Sequence, residues 1–116
     1  MKYMLLIYRD ENIYGKNTSG DHSAPYMAYA QALAGAGVLA GGDRLQPVMT
    51  ASTVRQKYGE TTILDGPYAD SKEQLGGYYI IDVPDLDSAL QWAARCPGAT
   101  QGSVEVRPLW SMPQAK

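Results

Sequence analysis

Two stretches of the chain, KYMLLIY at 2–8 and GYYIIDV at 77–83, carry apolar side chains at successive positions instead of alternating them with polar ones. Such runs suit strands covered on both faces. Between them the pattern changes several times. Residues 10–23, DENIYGKNTSGDHS, are polar and rich in turn-formers, and read as an exposed loop. Pro25 suits the first turn of a helix, and Tyr26, Ala30, Leu33 and Gly37 then follow helical spacing until Gly35 and Gly37 end it. Residues 38–46 resume an extended pattern. Residues 52–65 predict a hairpin with arms Ser52–Lys57 and Thr61–Asp65 around a turn at 58–60. After the strand at 77–83, Pro84 and Asp85 open a second helix with an expected core stripe of Leu86, Ala89, Leu90, Ala93 and Ala94, closed by Pro97-Gly98. Val104 and Val106 alternate with Glu105 and Arg107 in a last strand over 103–109.

The order strand-helix-strand thus occurs twice, with a hairpin between. It predicts an α+β fold of the ferredoxin-like βαββαβ kind with an inserted β-hairpin, occupying residues 1–110 as one domain, with 111–116 as a loose tail. Four strands ~4.8 Å apart and roughly 20 Å long present a plane of about 400 Å². Two helices cover one side of it, and the other side is apolar too. A soluble chain rarely leaves that much open. A second copy about a two-fold axis is the simplest cover, so the sequence predicts a homodimer closed as an α+β barrel, with pockets at its rim for a small-molecule ligand.

Composition narrows the partners. Ten basic and 12 acidic residues give a net charge of −2, which lacks the basic excess that holds nucleic acid or an anionic membrane. Arg9 and Asp10 cut the first apolar run short of a signal or membrane segment, so a cytoplasmic protein is expected. One cysteine, Cys96, and one histidine, His22, make no metal cluster and no Ser-His-Asp set. Cys96 reads as a packing residue, with a redox-sensitive thiol as the alternative. No metal and no cofactor is expected.

Candidate chemistry concentrates in DGPYADSKEQLGGYY, residues 65–79. Asp65 either caps the turn made by Gly66-Pro67 or acts as a general acid or base at a pocket mouth. Tyr68 either anchors the loop or donates a proton. Lys72 and Glu73 are neighbours that an extended chain sends to opposite sides, and Glu73 could reach Arg107 across the sheet. Gly76-Gly77 permits a bulge or the close approach of a ligand, without any phosphate-loop pattern around it. Glu105 and Arg107 share one face of the last strand. Asp43-Arg44 is a further charged point, expected to serve solubility or a subunit contact.

The opening MKYMLLIY, GVLAGGDRLQP at 37–47, DGPYADSKEQLGGYYIID at 65–82 and GSVEVRPLW at 102–110 together resemble the YCII-related family, and within it the DGPF branch. The resemblance implies a ferredoxin-like fold paired into a dimeric α+β barrel, in a branch whose genes often lie beside extracytoplasmic-function sigma factors. Tyr68 stands where that branch has Phe. Tyr26 stands where the YCII branch proper has a His proposed as half of a His-Asp pair. The readings that follow are a metal-independent enzyme using Asp65, Tyr68 and Glu73, with Tyr26, Lys72, Gly76, Gly77 and Arg107 as ligand contacts, or a non-catalytic module with a sigma-factor-linked regulatory partner.

Overall fold

A computed structural model describes residues 1–11, 23–67 and 72–111. Strand β1 spans Lys2–Arg9, helix α1 Ser23–Gly35 and strand β2 Leu39–Arg44. After a 3-10 turn at Val48–Thr50 come β3, Ser52–Lys57, and β4, Glu60–Asp65. Strand β5 covers Gln74–Asp82, α2 Leu86–Arg95, the short α3 Gly98–Gln101 and β6 Gly102–Pro108. The chain is α+β, with a four-stranded sheet in the order β2-β5-β1-β6 and a separate two-stranded sheet of β3 and β4. Neighbouring strands are antiparallel throughout. That order, with a helix after β1 and another after β5, is consistent with the ferredoxin-like arrangement.

Register divides the residues of the large sheet between two faces. Tyr3, Leu5 and Ile7 lie opposite Ile81, Tyr79 and Gly77 of β5, and Leu5 and Ile7 lie opposite Val106 and Val104 of β6. This face packs against the helices: Leu5, Leu33, Ile81 and Ala89 are fully buried together with Tyr29, Ala93 and Cys96. Tyr29 sits edge-on to both Tyr79 and Trp92, and its hydroxyl donates to the Trp92 carbonyl at 2.5 Å. Burial of that phenol pushes its pKa up, chiefly by desolvation. The opposite face carries Met4, Leu6, Tyr78 and Ile80, all half-buried, with Glu105 and Arg107 beside them.

Several boundaries depart from the sequence pattern for local reasons. The hairpin turn is two residues, not three: Tyr58 and Gly59 both take positive φ, at 53° and 82°, which lets β4 start at Glu60. In α2 the expected stripe is rotated. Ala89 and Ala93 are buried, but Leu86 and Leu90 are each 47 % exposed and Ala94 is exposed. At about 100° per residue the true buried arc, through Ala89, Trp92, Ala93 and Cys96, lies roughly 70° round the helix from the leucine-centred one. Two alanines let the helix approach the sheet, and Trp92 fills the gap beside Tyr29. Cys96 is indeed a buried packing residue whose thiol pKa is raised by desolvation. Residues 112–116 of the expected tail, residues 12–22 of the expected loop with His22, and residues 68–71 with Tyr68 lie outside the described residues. Among the described residues no helix is long and apolar enough to cross a membrane.

The start of α2 gives a pH prediction. Asp85 caps the helix, accepting from the Ser88 backbone N–H at 2.8 Å, and that bond holds its carboxyl below the ordinary value of 3.8. A carboxylate whose folded pKa is depressed contributes stability above its unfolded pKa and loses it as pH falls through the folded one. Asp85→Ala should therefore melt lower than the parent at neutral pH, and the gap should close as the solution is acidified below the parent carboxyl's pKa. Thermal melts at a series of pH values check this; a gap that stays constant down to pH 2 contradicts it.

Candidate functional site

The first half of helix α1 and the sheet beneath it share a cavity. Its volume is about 380 Å³, at the small end of the roughly 300–1,000 Å³ range of small-molecule pockets. From α1 it is lined by Tyr26, Met27 and Ala30, and from β1 by Ile7 and Arg9. Its edge is the glycine-containing end of β2, Gly42 to Arg44, and its floor is Gly76 to Tyr79 of β5. This cavity lies on the helix side of the sheet, among residues of a single chain.

The glycines are there because backbones come close. A Cβ on Gly77 would lie 3.0 Å from the Asp43 carbonyl oxygen, and one on Gly42, whose φ is +153°, would lie 2.7 Å from the Tyr78 carbonyl oxygen. Gly76 leaves room for Arg9, whose Nε is 3.6 Å from where its Cβ would be. The second of these strand-entry glycines thus serves β2–β5 pairing, and the first clears space beside the arginine.

Arg9 is the notable side chain. It is 8 % exposed, and among the described residues its Nη1 meets no acceptor. Buried charges are ordinarily paired, because an uncompensated one is costly to desolvate. The Tyr26 hydroxyl is likewise buried without a partner among the described residues. Desolvation pushes the Tyr26 phenol up to about 12; nearby Cys96 adds to the rise and Arg9 opposes it. At neutral pH it is a protonated donor. Arg44, on the same sheet face because it pairs with Gly77, is exposed at the mouth and also acts electrostatically on Tyr26. Asp43, one residue earlier, pairs with Tyr78 and accepts its hydroxyl at 3.2 Å, which commits the carboxylate to the opposite side of the sheet.

Of the residues singled out from sequence, Tyr26, Gly76 and Gly77 line this cavity. Asp65 closes β4 on the outer hairpin, exposed and opposite Ser52; the turn after it is tied by the Gly66 N–H to Ala51 and by Thr53 Oγ1 to the Gly66 carbonyl. Glu73 accepts from Ser103 Oγ at 2.8 Å. Lys72 is exposed. Arg107 lies 3.7 Å from Glu105 with its side chain 69 % exposed, on the sheet face away from the cavity. Tyr68 falls outside the described residues. The structure does not bring Asp65, Glu73 and Arg107 to the cavity wall. The residue that sequence reasoning passed over is Arg9, and the signal was in the chain: positions 3, 5 and 7 face the core, and a period of two carries the series to 9.

Comparison with known proteins places the chain without assigning it a reaction. The family model described as the YCII-related domain matches residues 1–113. An uncharacterized protein of Rhizobium meliloti (strain 1021) is 40 % identical over 118 residues, an alignment covering 94 % of this chain and 92 % of that protein. With both the opening strand and the 65–82 segment inside the matched span, the chain belongs to the YCII-related family.

Proposed function

We propose that this protein is a homodimer of α+β-barrel type, of the DGPF branch, whose protomers each bind a small organic ligand between α1 and the sheet. The observation that carries the ligand reading is that Arg9 and Tyr26, each holding a buried polar atom without a partner among the described residues, both line one cavity whose other walls include Ile7, Met27, Ala30 and Tyr79. Apolar walls with a few placed polar groups are what a small-molecule site needs. The homodimer is supported by the second sheet face, where Met4, Leu6, Tyr78 and Ile80 form an apolar strip flanked by Glu105 and Arg107. Both signs at the rim allow a two-fold mate to meet each charge with its opposite.

Binding is favoured over acid-base catalysis at this site. The described lining residues include no histidine, and their one carboxylate, Asp43, is already engaged by the Tyr78 hydroxyl. Asp65 and Glu73, the carboxylates of the enzyme reading, stand elsewhere. A fragment screen by two-dimensional NMR on the assigned protein tests the ligand reading. Shifts clustered on Ile7, Tyr26, Ala30 and Gly76–Tyr79 are expected; hits that cluster on the β3–β4 hairpin or nowhere would refute it.

A further inference from the structure

The polar groups of the cavity also say what kind of ligand it takes. Arg9 offers an unpartnered Nη1 from a buried position on β1, and Tyr26 an unpartnered hydroxyl from α1. Both are donors, and no described lining residue answers them with an acceptor. Arg44 adds a second positive charge at the mouth. The acidic lining residue, Asp43, is turned to Tyr78. The charge facing the cavity is therefore positive, although the chain as a whole carries −2. The remaining walls, Ile7, Met27, Ala30 and the Tyr79 ring, are apolar.

A guanidinium matches a carboxylate in plane and spacing, and a charge-assisted bond formed away from water is stronger than a neutral one. An anion with more charge would need more buried donors than Arg9 and Tyr26 supply, since Arg44 stands exposed at the mouth, and a neutral ligand would leave the buried cation unanswered. We infer that the cavity is a site for small organic monocarboxylates, whose carboxylate is held by Arg9 and Tyr26 at the inner end while an apolar or aromatic body lies against Met27 and Tyr79. Arg44 draws the anion to the mouth and makes the association sensitive to salt. This rests on the ligand reading above and specifies its chemistry.

The test is a set of NMR titrations of the intact protein with benzoate and hexanoate, each beside its neutral counterpart, benzamide and hexanamide. Either acid should shift the signals of Ile7, Tyr26 and Gly76–Tyr79, and its neutral counterpart should bind about tenfold more weakly or worse. Arg9→Gln should weaken the acid about ten- to a hundredfold and leave the amide nearly unchanged, and Tyr26→Phe should weaken the acid a few-fold. Should Arg9→Gln not fold, the Tyr26→Phe comparison and the acid-to-amide ratio in the parent decide the matter. Amides binding as well as acids would overturn the carboxylate inference and leave a neutral-ligand pocket standing. No shift at the cavity from any of the four would overturn both this inference and the pocket itself.

Discussion

Gly102→Ala should cost the protein about 3 kcal/mol or more, a fall in melting temperature of roughly 10 °C or beyond. Gly102 opens β6 opposite Arg9 of β1, and its φ of −172° is ordinary extended backbone, so the reason is space and not strain. A Cβ there would collide with the Tyr8 carbonyl oxygen and come within 2.9 Å of the Arg9 Cα. Both obstacles are main chain in a strand paired on both sides, so neither can swing aside as a side chain would. The entry of β6 would have to move off β1, and Arg9 would lose the position from which it meets the cavity. Benzoate affinity should fall along with stability. Gly35→Ala is the matched control: nothing lies within 4 Å of its Cβ position at the end of α1, and trading the glycine for alanine there should be neutral or stabilising by up to about 1 kcal/mol. Equal melting temperatures for the two variants would mean that the Arg9–Gly102 register is wrong.

What could be seen in the chain before the structure was the sequence of elements, because the period of apolar positions is a property of each segment alone. The two-sided strands at the centre of the sheet, β1 and β5, announced themselves by apolar runs, and the hairpin by Tyr58-Gly59 between β-prone arms. The rotation of α2 was not legible. Leu86 and Leu90 outrank alanine in hydrophobicity, yet the helix turns Ala89 and Ala93 inward, where small residues let it close on β6 with Trp92 alongside. That is a fact about distance between elements, which no local pattern holds. The four-residue α3 was missed for a similar reason: it exists where Gly98 packs so tightly on Ile7 that a Cβ would lie 2.6 Å from its Cγ2.

The site was legible in one part and obscured in another. Residues 65–79 drew attention because turn-formers, charges and aromatic rings crowd together there, but crowding in sequence reports a turn as readily as a site. Asp65 sits on the hairpin while Gly76 and Gly77, only a short way along the chain, form the cavity floor. Arg9 looked like the polar end of an apolar strand. Its meaning came from a third dimension, the packing of α1 on the sheet, which puts the buried Arg9 and Tyr26 on one cavity. A charge that continues a core-facing alternation is the feature such a reading should weigh more heavily than a cluster of turn residues.

Ile80→Glu should convert the proposed dimer to monomers, weakening association about a thousandfold or more. Ile80 lies opposite Met4 on β1 and close to Gly41 on β2, in the middle of the face turned away from α1 and α2. Being half-buried, it has room for a carboxylate to reach water in an isolated protomer, so the fold itself should survive. In a two-fold assembly the same substitution enters twice, and each new charge would be desolvated against apolar side chains at a cost of several kcal/mol. Leu90→Glu is the control, since Leu90 is 47 % exposed on α2, across the sheet from that face; it should leave sedimentation unchanged. A parent that sediments as a single chain at micromolar concentration, or an Ile80→Glu variant that still pairs, would remove the dimer from the proposal. The cavity would not go with it. Its walls come from α1 and one sheet, so the Ile80→Glu monomer should bind benzoate about as well as the parent, and a loss of binding in step with the loss of pairing would instead mean that the mate completes the site.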